Sequence, residues 1–268
     1  MRTSRRSACS LVETNIAYTK RVRNLLACVV AVVALGVPSG AAAADPPSLK
    51  EACGATSSLA ARPVWLTTSD GVRLYAVTAG RGSTVIAMAH EGGSTLCGSL
   101  PYAATLVRAG LRVIAFDFRD YGRSGRSGRH GLLLGNDLAA AAAHARATGA
   151  KHVFLMGASM GGAAVVQNTA SLQVAGRISL SGTRLWEGYG INAPLSLPRI
   201  RAPFLYLGSR DDARAPLTEA RGTVQRIGAR DKRGVFYAGS FHGWSLVDGA
   251  PFAARARALV LKWIRSHS

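Results

Sequence analysis

A serine set among glycines is the residue whose type and setting most directly indicate chemistry. The segment 157–162 reads GASMGG and stands between a predicted strand and a predicted helix. In that context a G-x-S-x-G string is typical of a nucleophile elbow, a sharp turn that projects the serine hydroxyl beyond the end of a strand. Ser159 is therefore predicted to be a nucleophile. The alternative is a glycine-rich turn that only lets a helix pack closely on a strand.

A serine hydroxyl is a weak nucleophile until a base accepts its proton. His242 is the preferred base because it follows the last predicted strand and precedes the last predicted helix. His144 lies within a predicted helix, His152 begins a strand and His267 is in the terminal tail. His130 stands in a glycine-rich loop, and its position alone leaves it open as an alternative base.

The base needs a carboxylate that holds its tautomer and stabilises the imidazolium ion. Asp211 and Asp212 stand together in the loop after a strand predicted at 203–207. Either of them fits this role by position. The other aspartate is then expected to cap the helix predicted to begin near Leu217.

The negative charge that develops on an attacked carbonyl oxygen needs hydrogen-bond donors. The backbone N–H of Met160, directly after the predicted nucleophile, is one such donor. A second donor is expected from the loop after Ala89, which reads HEGG at 90–93.

The remaining sequence alternates short apolar runs with segments of helical spacing. This pattern predicts an α/β fold: a mostly parallel, doubly wound sheet with helices on both faces. Two β-rich runs around the turn Ser69-Asp70-Gly71 predict an antiparallel hairpin at its beginning. The predicted strands are 64–67, 72–78, 84–89, 112–116, 152–156, 177–180, 204–207 and 234–237, and the predicted helices are 100–109, 134–148, 160–170, 217–227 and 251–264.

Taken together, these features resemble the α/β-hydrolase superfamily over about residues 63–266. The order Ser159, Asp211, His242 matches the Ser–Asp–His order of that family. The segment 117–124, which reads DFRDYGRS, is similar to a family segment that usually reads D-x-R-G-x-G-x-S. The resemblance implies a catalytic triad and an oxyanion hole.

Two residues depart from the family pattern. Glu91 stands where many relatives carry glycine after the histidine, so the second oxyanion donor is either the N–H of Glu91, which we prefer, or that of Gly92. Asp120 replaces a usual glycine beside the site. Neither departure affects the predicted nucleophile.

The resemblance also bears on the choice of acid. Relatives usually place the aspartate three positions after a glycine that matches Gly208, which selects Asp211. A proline that matches Pro216 often follows the acid by four positions, which selects Asp212. Because strand ends are fixed by sheet pairing whereas loops tolerate insertions, Asp211 is preferred.

The connection between Leu180 and Phe204 is short for this family, in which many members insert a helical lid there. It is expected to be a loop with at most one small helix. The resemblance is therefore to compact, nearly lidless members, similar to dienelactone hydrolases and small esterases. An open site of that kind suits short acyl groups or exposed esters.

The N-terminus has the pattern of a secretory signal. Basic residues precede an apolar run at 25–37, which is shorter than the roughly 20 residues needed to span a bilayer. Small residues at 41–44 suit a cleavage site. We expect a signal peptide at 1–44 (or an uncleaved anchor), an irregular lead-in at 45–62 and the hydrolase domain at 63–268.

The chain is strongly basic. Loss of the leader, with its six basic residues and one acidic residue, lowers the formal charge from +19 to +14. The basic residues are mostly scattered arginines, without an aromatic-interleaved stripe or a recognised nucleic-acid module. We expect weak association with anionic cell-surface polymers and no specific nucleic-acid partner.

Cys53 and Cys97 are the cysteines that would remain after cleavage. In an exported chain such a pair predicts one disulfide, and the alternative is two small buried thiols.

The sequence thus predicts an exported serine hydrolase that acts on a small-molecule, short-chain carboxylic ester through an acyl-enzyme, without a metal or organic cofactor. A peptidase or an acyltransferase would use the same three residues. A non-catalytic domain that binds an envelope ligand is the alternative from a different class.

Overall fold

The structure is a computed structural model that describes residues 44–54, 59–128, 133–167, 171–182, 185–186, 191–192 and 196–268. The predicted signal segment, apart from Ala44, lies outside the described residues, and so does the alternative base His130.

An eight-stranded sheet forms the centre of the described chain, in the order β1-β2-β4-β3-β5-β6-β9-β10. β1 pairs antiparallel with β2, and β2 pairs antiparallel with β4, whereas the remaining pairs are parallel. The apolar runs predicted as buried strands are buried between helices. The bounds are β1 Ala61–Thr67, β2 Arg73–Ala79, β3 Thr84–Ala89, β4 Arg112–Phe116, β5 His152–Ala158, β6 Gly176–Leu180, β9 Phe204–Ser209 and β10 Lys232–Tyr237.

Helices cover both faces of this sheet, as predicted. Side chains of α2 and α6 belong to one apolar cluster, while α3 and most of α4 belong to a second cluster that uses the alternate residues of the same strands. α5 packs on β9 in a third cluster. No helix among the described residues is long and apolar enough to cross a bilayer. The bounds are α2 Leu100–Arg108, α3 Leu134–Ala147, α4 Met160–Gln167, α5 Leu217–Arg226 and α6 Ala253–Ser266.

The lead-in is more ordered than the sequence analysis predicted. Helix α1 covers Leu49–Cys53 and begins with a capping box, in which Ser48 and Glu51 each satisfy the other's backbone N–H. The Ser-x-x-Glu spacing carries this signal, so the irregular lead-in was a wrong prediction at this point. The predicted disulfide is confirmed: Cys53 of α1 is bonded to Cys97, with 5.6 Å between their Cα atoms. It joins the lead-in to a 3₁₀ helix at Leu96–Ser99, directly before α2.

The connection between β6 and β9 contains two very short antiparallel strands, β7 Leu185–Trp186 and β8 Ile191–Asn192. A 3₁₀ helix follows at Leu197–Arg199. The strand pair was not predicted, because two-residue strands leave no alternation to recognise.

Candidate active site

Ser159 occupies a strained turn between β5 and α4. Its φ of 50° lies in the left-handed region, which is uncommon for a residue with a side chain. Two backbone hydrogen bonds hold the turn: Ser159 N–H donates to the Leu180 carbonyl at 2.8 Å, and Ala163 N–H donates to the Ser159 carbonyl at 2.8 Å. Strain of this kind persists only where the surroundings enforce it, and it is common at functional sites.

The glycines around Ser159 are required by close backbone approach. A Cβ added at Gly157 would overlap the Gly161 carbonyl, and one added at Gly161 would overlap the carbonyl of Ala89. The two glycines therefore let α4 begin directly against the end of β5 and beside the end of β3. This packing accounts for both glycines of the G-x-S-x-G string in physical terms.

A buried acid–base pair lies in the loops after β9 and β10. His242 Nδ1 is 2.7 Å from Asp212 Oδ2, and both side chains are almost fully buried. The second oxygen of the carboxylate, Oδ1, accepts the Arg214 N–H at 3.0 Å. Both oxygens of Asp212 are thus engaged, which fixes the carboxylate against the imidazole and leaves His242 Nε2 as the nitrogen that can accept a proton.

The carboxylate that contacts His242 belongs to Asp212 and not to Asp211, the residue preferred from the sequence. Asp211 is exposed, and its N–H donates to the Gly239 carbonyl at 3.0 Å. The count from Gly208 failed because β9 runs on to Ser209, so this glycine lies within the strand and does not mark its end. The count from Pro216 selects the residue that contacts His242.

The loop of His242 contacts the strand that carries the nucleophile. His242 precedes a 3₁₀ helix at Gly243–Leu246, and Ser245 accepts its N–H at 3.0 Å and donates to its carbonyl at 2.7 Å. A Cβ added at Gly243 would lie 3.5 Å from the Ala158 Cβ. The residues next to His242 and Ser159 in sequence are therefore neighbours in space, which brings the predicted base and nucleophile to the same site.

The predicted oxyanion donors lie on two segments that touch. Met160 is the first residue of α4, so its N–H has no partner within the helix. The next N–H, that of Gly161, donates to the His90 carbonyl at 3.1 Å and holds the loop 90–93 against this helix end. Within the described residues, neither the Glu91 N–H nor the Gly92 N–H donates to a protein acceptor. Both stay available as the second donor.

His90 orders this loop, a role that the sequence analysis missed. Its Nε2 accepts the Phe118 N–H at 3.0 Å, so Nδ1 carries the proton and donates to the Glu91 carbonyl at 2.7 Å. Burial lowers the pKa of His90 to about 4, which keeps the ring neutral. Its position directly after a buried strand was the available signal.

The segment after β4 is ordered by hydrogen bonds to the side chains of two of its aspartates. Asp117 accepts the N–H groups of Leu96 at 2.7 Å and Arg123 at 3.0 Å, and burial raises its pKa. A Cβ at Gly122 would overlap this carboxylate. Asp120, the departure from the family glycine, has a φ of 67° and accepts the Ser127 N–H at 3.0 Å. Aspartate thus tolerates the left-handed conformation for which relatives use glycine.

Arg119 ties this segment to two other parts of the chain. Its fully buried guanidinium contacts Asp70 in the β1–β2 turn at 2.7 Å and Asp137 in α3 at 2.7 Å. The hydrogen bond from Arg119 lowers the pKa of Asp70, whereas burial raises that of Asp137 despite the same partner. Asp70 was expected in a turn and position 137 within the helix predicted at 134–148, and the ion pairs were not predicted.

No group of three or more histidine, cysteine, aspartate or glutamate side chains in the described part of the chain is placed to hold a metal ion. The groups that the folded loops bring together, a serine, a histidine–carboxylate pair and backbone N–H groups, are those that acyl-transfer chemistry requires.

Solved structures with this fold are numerous. An esterase from Pyrococcus furiosus superposes with a TM-score of 0.67 at 16% identity, covering 83% of this chain and 97% of its own. The esterase RhEst1 from Rhodococcus has a TM-score of 0.62 at 17% identity, with coverages of 77% and 99%. A monoacylglycerol lipase from Paleococcus ferrophilus has a TM-score of 0.60 at 18% identity, with coverages of 73% and 99%. No protein-family model and no curated protein sequence matches the chain.

These likenesses, together with the strand order and the turn at Ser159, define the class: the chain has the α/β-hydrolase fold. At such low identity the likeness establishes the fold, and the activity has to be argued from the site.

Proposed function

We propose that this protein is a serine hydrolase that cleaves carboxylic esters, with Ser159 as nucleophile, His242 as base and Asp212 as acid. The observation that carries the proposal is the buried 2.7 Å contact between His242 Nδ1 and Asp212, in a loop packed beside the strained Ser159 turn. Three structural neighbours named as esterases or as a monoacylglycerol lipase support the choice of esters.

The reaction would follow the two steps of acyl-enzyme chemistry. Ser159 Oγ attacks the ester carbonyl carbon while its proton passes to His242 Nε2. The oxyanion accepts hydrogen bonds from the Met160 N–H and from the N–H of Glu91 or Gly92. Collapse breaks the bond to the alcohol oxygen, which takes the proton from His242. A water molecule, deprotonated by His242, then attacks the acyl carbon. Collapse breaks the bond to Ser159 Oγ, which takes the proton back from His242, and the acid is released.

The proposed substrates are esters with short acyl chains. The support for this is the short connection between Leu180 and Phe204, where larger relatives insert a lid that would cover a long chain. The resemblance to dienelactone hydrolases stays a prediction.

Hydrolysis of p-nitrophenyl acetate, butyrate and dodecanoate tests the activity and the chain length together. We expect turnover of the two shorter esters, loss of turnover in Ser159→Ala, and unchanged turnover in the exposed control Ser171→Ala. Release of nitrophenol only when an acceptor alcohol is present would indicate an acyltransferase. Absence of both turnover and covalent labelling would indicate a binding domain.

We also propose that the protein is exported. The leader at 1–44 and the Cys53–Cys97 disulfide support this, because disulfides persist mainly in oxidising compartments. N-terminal sequencing of the protein recovered from the culture medium or the cell envelope should give a start at Asp45. Recovery of the full-length chain from the cytosol with two free thiols would contradict the proposal.

A further inference from the structure

Glu91, which departs from the family pattern, contacts a residue that is distant from it in sequence. Glu91 Oε1 accepts the backbone N–H of Trp244 at 2.8 Å, a contact between residues 153 positions apart. We propose that Glu91 is a positioning residue, which holds the loop of His242 against the oxyanion loop. This inference rests on the proposed ester hydrolysis, since it assigns a part in that reaction.

The Glu91 carboxylate accepts a hydrogen bond from a backbone N–H that has no acceptor within its own helix. Trp244 lies in the first turn of the 3₁₀ helix at Gly243–Leu246, where backbone N–H groups have no acceptor within the helix. His242 immediately precedes this helix. A hydrogen bond to a charged acceptor is stronger than one between neutral groups, so Glu91 fixes the start of the helix and with it the backbone of His242.

Gly243 is shaped to receive this side chain. A Cβ added at Gly243 would overlap Glu91 Oε1, and the φ of 59° at this residue lies in the left-handed region that favours glycine. The side chain of Glu91 therefore occupies the space that a larger residue at position 243 would fill.

Glu91 is held at its other end as well. Its carbonyl accepts the Nδ1–H of the neutral, buried His90 at 2.7 Å, while its own N–H stays available for an oxyanion. One residue thus offers a donor on its backbone and holds the base loop with its side chain. A glycine here, as in many relatives, would supply the first function and not the second.

Catalysis is sensitive to such positioning, because a displacement of about 1 Å can cost roughly 10²-fold in rate. We expect Glu91→Ala to lower kcat by about 10- to 100-fold on p-nitrophenyl butyrate with KM changed less than about twofold. Glu91→Gln keeps an oxygen acceptor and should recover most of the loss. Asp231→Ala, which removes an exposed carboxylate directly before β10, at the end of that strand opposite the His242 loop, is the matched control and should match the wild type.

The same variants can be compared without an ester substrate. The rate at which a fluorophosphonate labels Ser159 depends on alignment of the nucleophile and base, so it should fall in Glu91→Ala and be largely restored in Glu91→Gln. Equal kcat and equal labelling rates in Glu91→Ala and the wild type would overturn the inference. A loss in Glu91→Ala that Gln leaves entirely unrepaired would also contradict a role as hydrogen-bond acceptor.

A double-mutant cycle tests the contact independently of activity. Gly243→Ala should lower the melting temperature more in the wild type, where the new Cβ meets the Glu91 carboxylate, than in the Glu91→Ala background. Equal shifts in the two backgrounds would refute the contact. If the wild type neither hydrolyses esters nor reacts with the fluorophosphonate, the proposed function fails, whereas the cycle still reports on the contact.

Discussion

Replacing Asp212 by asparagine should impair the enzyme through the tautomer of His242. In the wild type, Asp212 Oδ2 faces His242 Nδ1 at 2.7 Å, and Oδ1 accepts the Arg214 N–H at 3.0 Å. The amide of an asparagine has one acceptor and one donor group. If its oxygen stays on the Arg214 N–H, its NH₂ group faces Nδ1, which must then accept. The ring proton moves to Nε2, where it blocks transfer from Ser159.

The size of the loss follows from the two orientations of that amide. With the NH₂ group toward His242, the expected loss is about 10⁴-fold, as for this change in a serine protease, or about 5 kcal/mol of transition-state stabilisation. The flipped amide restores the tautomer, but its NH₂ group then faces the Arg214 N–H, so two donors meet without an acceptor. This costs about 1–3 kcal/mol. We therefore expect Asp212→Asn to lose between about 10- and 10⁴-fold in kcat.

The assay is the hydrolysis of p-nitrophenyl butyrate by purified Asp212→Asn and Asp211→Asn proteins with checked melting temperatures. Asp211 is exposed and its described hydrogen bond is made by its backbone, so Asp211→Asn should change kcat by less than about threefold. A large loss of kcat in Asp211→Asn together with a nearly unchanged kcat in Asp212→Asn would refute the pairing of His242 with Asp212.

Three further predictions concern stability, each measured as a free energy of unfolding in urea. Joint replacement of Cys53 and Cys97 by alanine should cost about 4 kcal/mol, because the 44-residue separation no longer restricts the unfolded chain; no loss would mean that the thiols are free in solution. In the folded protein the pKa of His90 is lowered to about 4, whereas in the unfolded chain the ring is protonated below about pH 6.5. The stability that the neutral, buried ring contributes is therefore complete above about pH 6.5 and is lost as the pH falls toward 4. The advantage of the wild type over His90→Gln should thus shrink by about 3 kcal/mol between pH 7 and pH 4, and a constant difference would contradict a buried neutral ring. Arg119→Met should cost about 3–5 kcal/mol because it leaves a buried carboxylate without its partner, and a change below 1 kcal/mol would show that the ion pairs are not needed.

The sequence was sufficient for the fold because each buried strand is a short apolar run between turn residues. The run at 84–89 and the run at 112–116 became β3 and β4 with the same bounds. The turn at Ser159 was also predictable, because the G-x-S-x-G string between a strand and a helix is a local pattern, and Gly157 is required by the backbone of Gly161 only four residues away.

The site residues that were not predicted depend on contacts between distant parts of the chain, which local sequence patterns do not show. The choice between Asp211 and Asp212 turned on two extra residues of β9, which pairing with β10 extends to Ser209. The contact between Glu91 and Trp244 joins loops that only the folded sheet brings together. The helix at Leu49–Cys53, in contrast, had a readable capping signal that was overlooked.

Covalent labelling of Ser159 tests the central claim most directly. Incubation with a fluorophosphonate, followed by digestion and mass spectrometry, should add one phosphonyl group to the peptide that contains Ser159. His242→Ala should slow the labelling by several orders of magnitude, since nucleophile and base act as a unit. An unlabelled wild-type protein, or labelling that persists in Ser159→Ala, would contradict the assignment of Ser159 as the nucleophile.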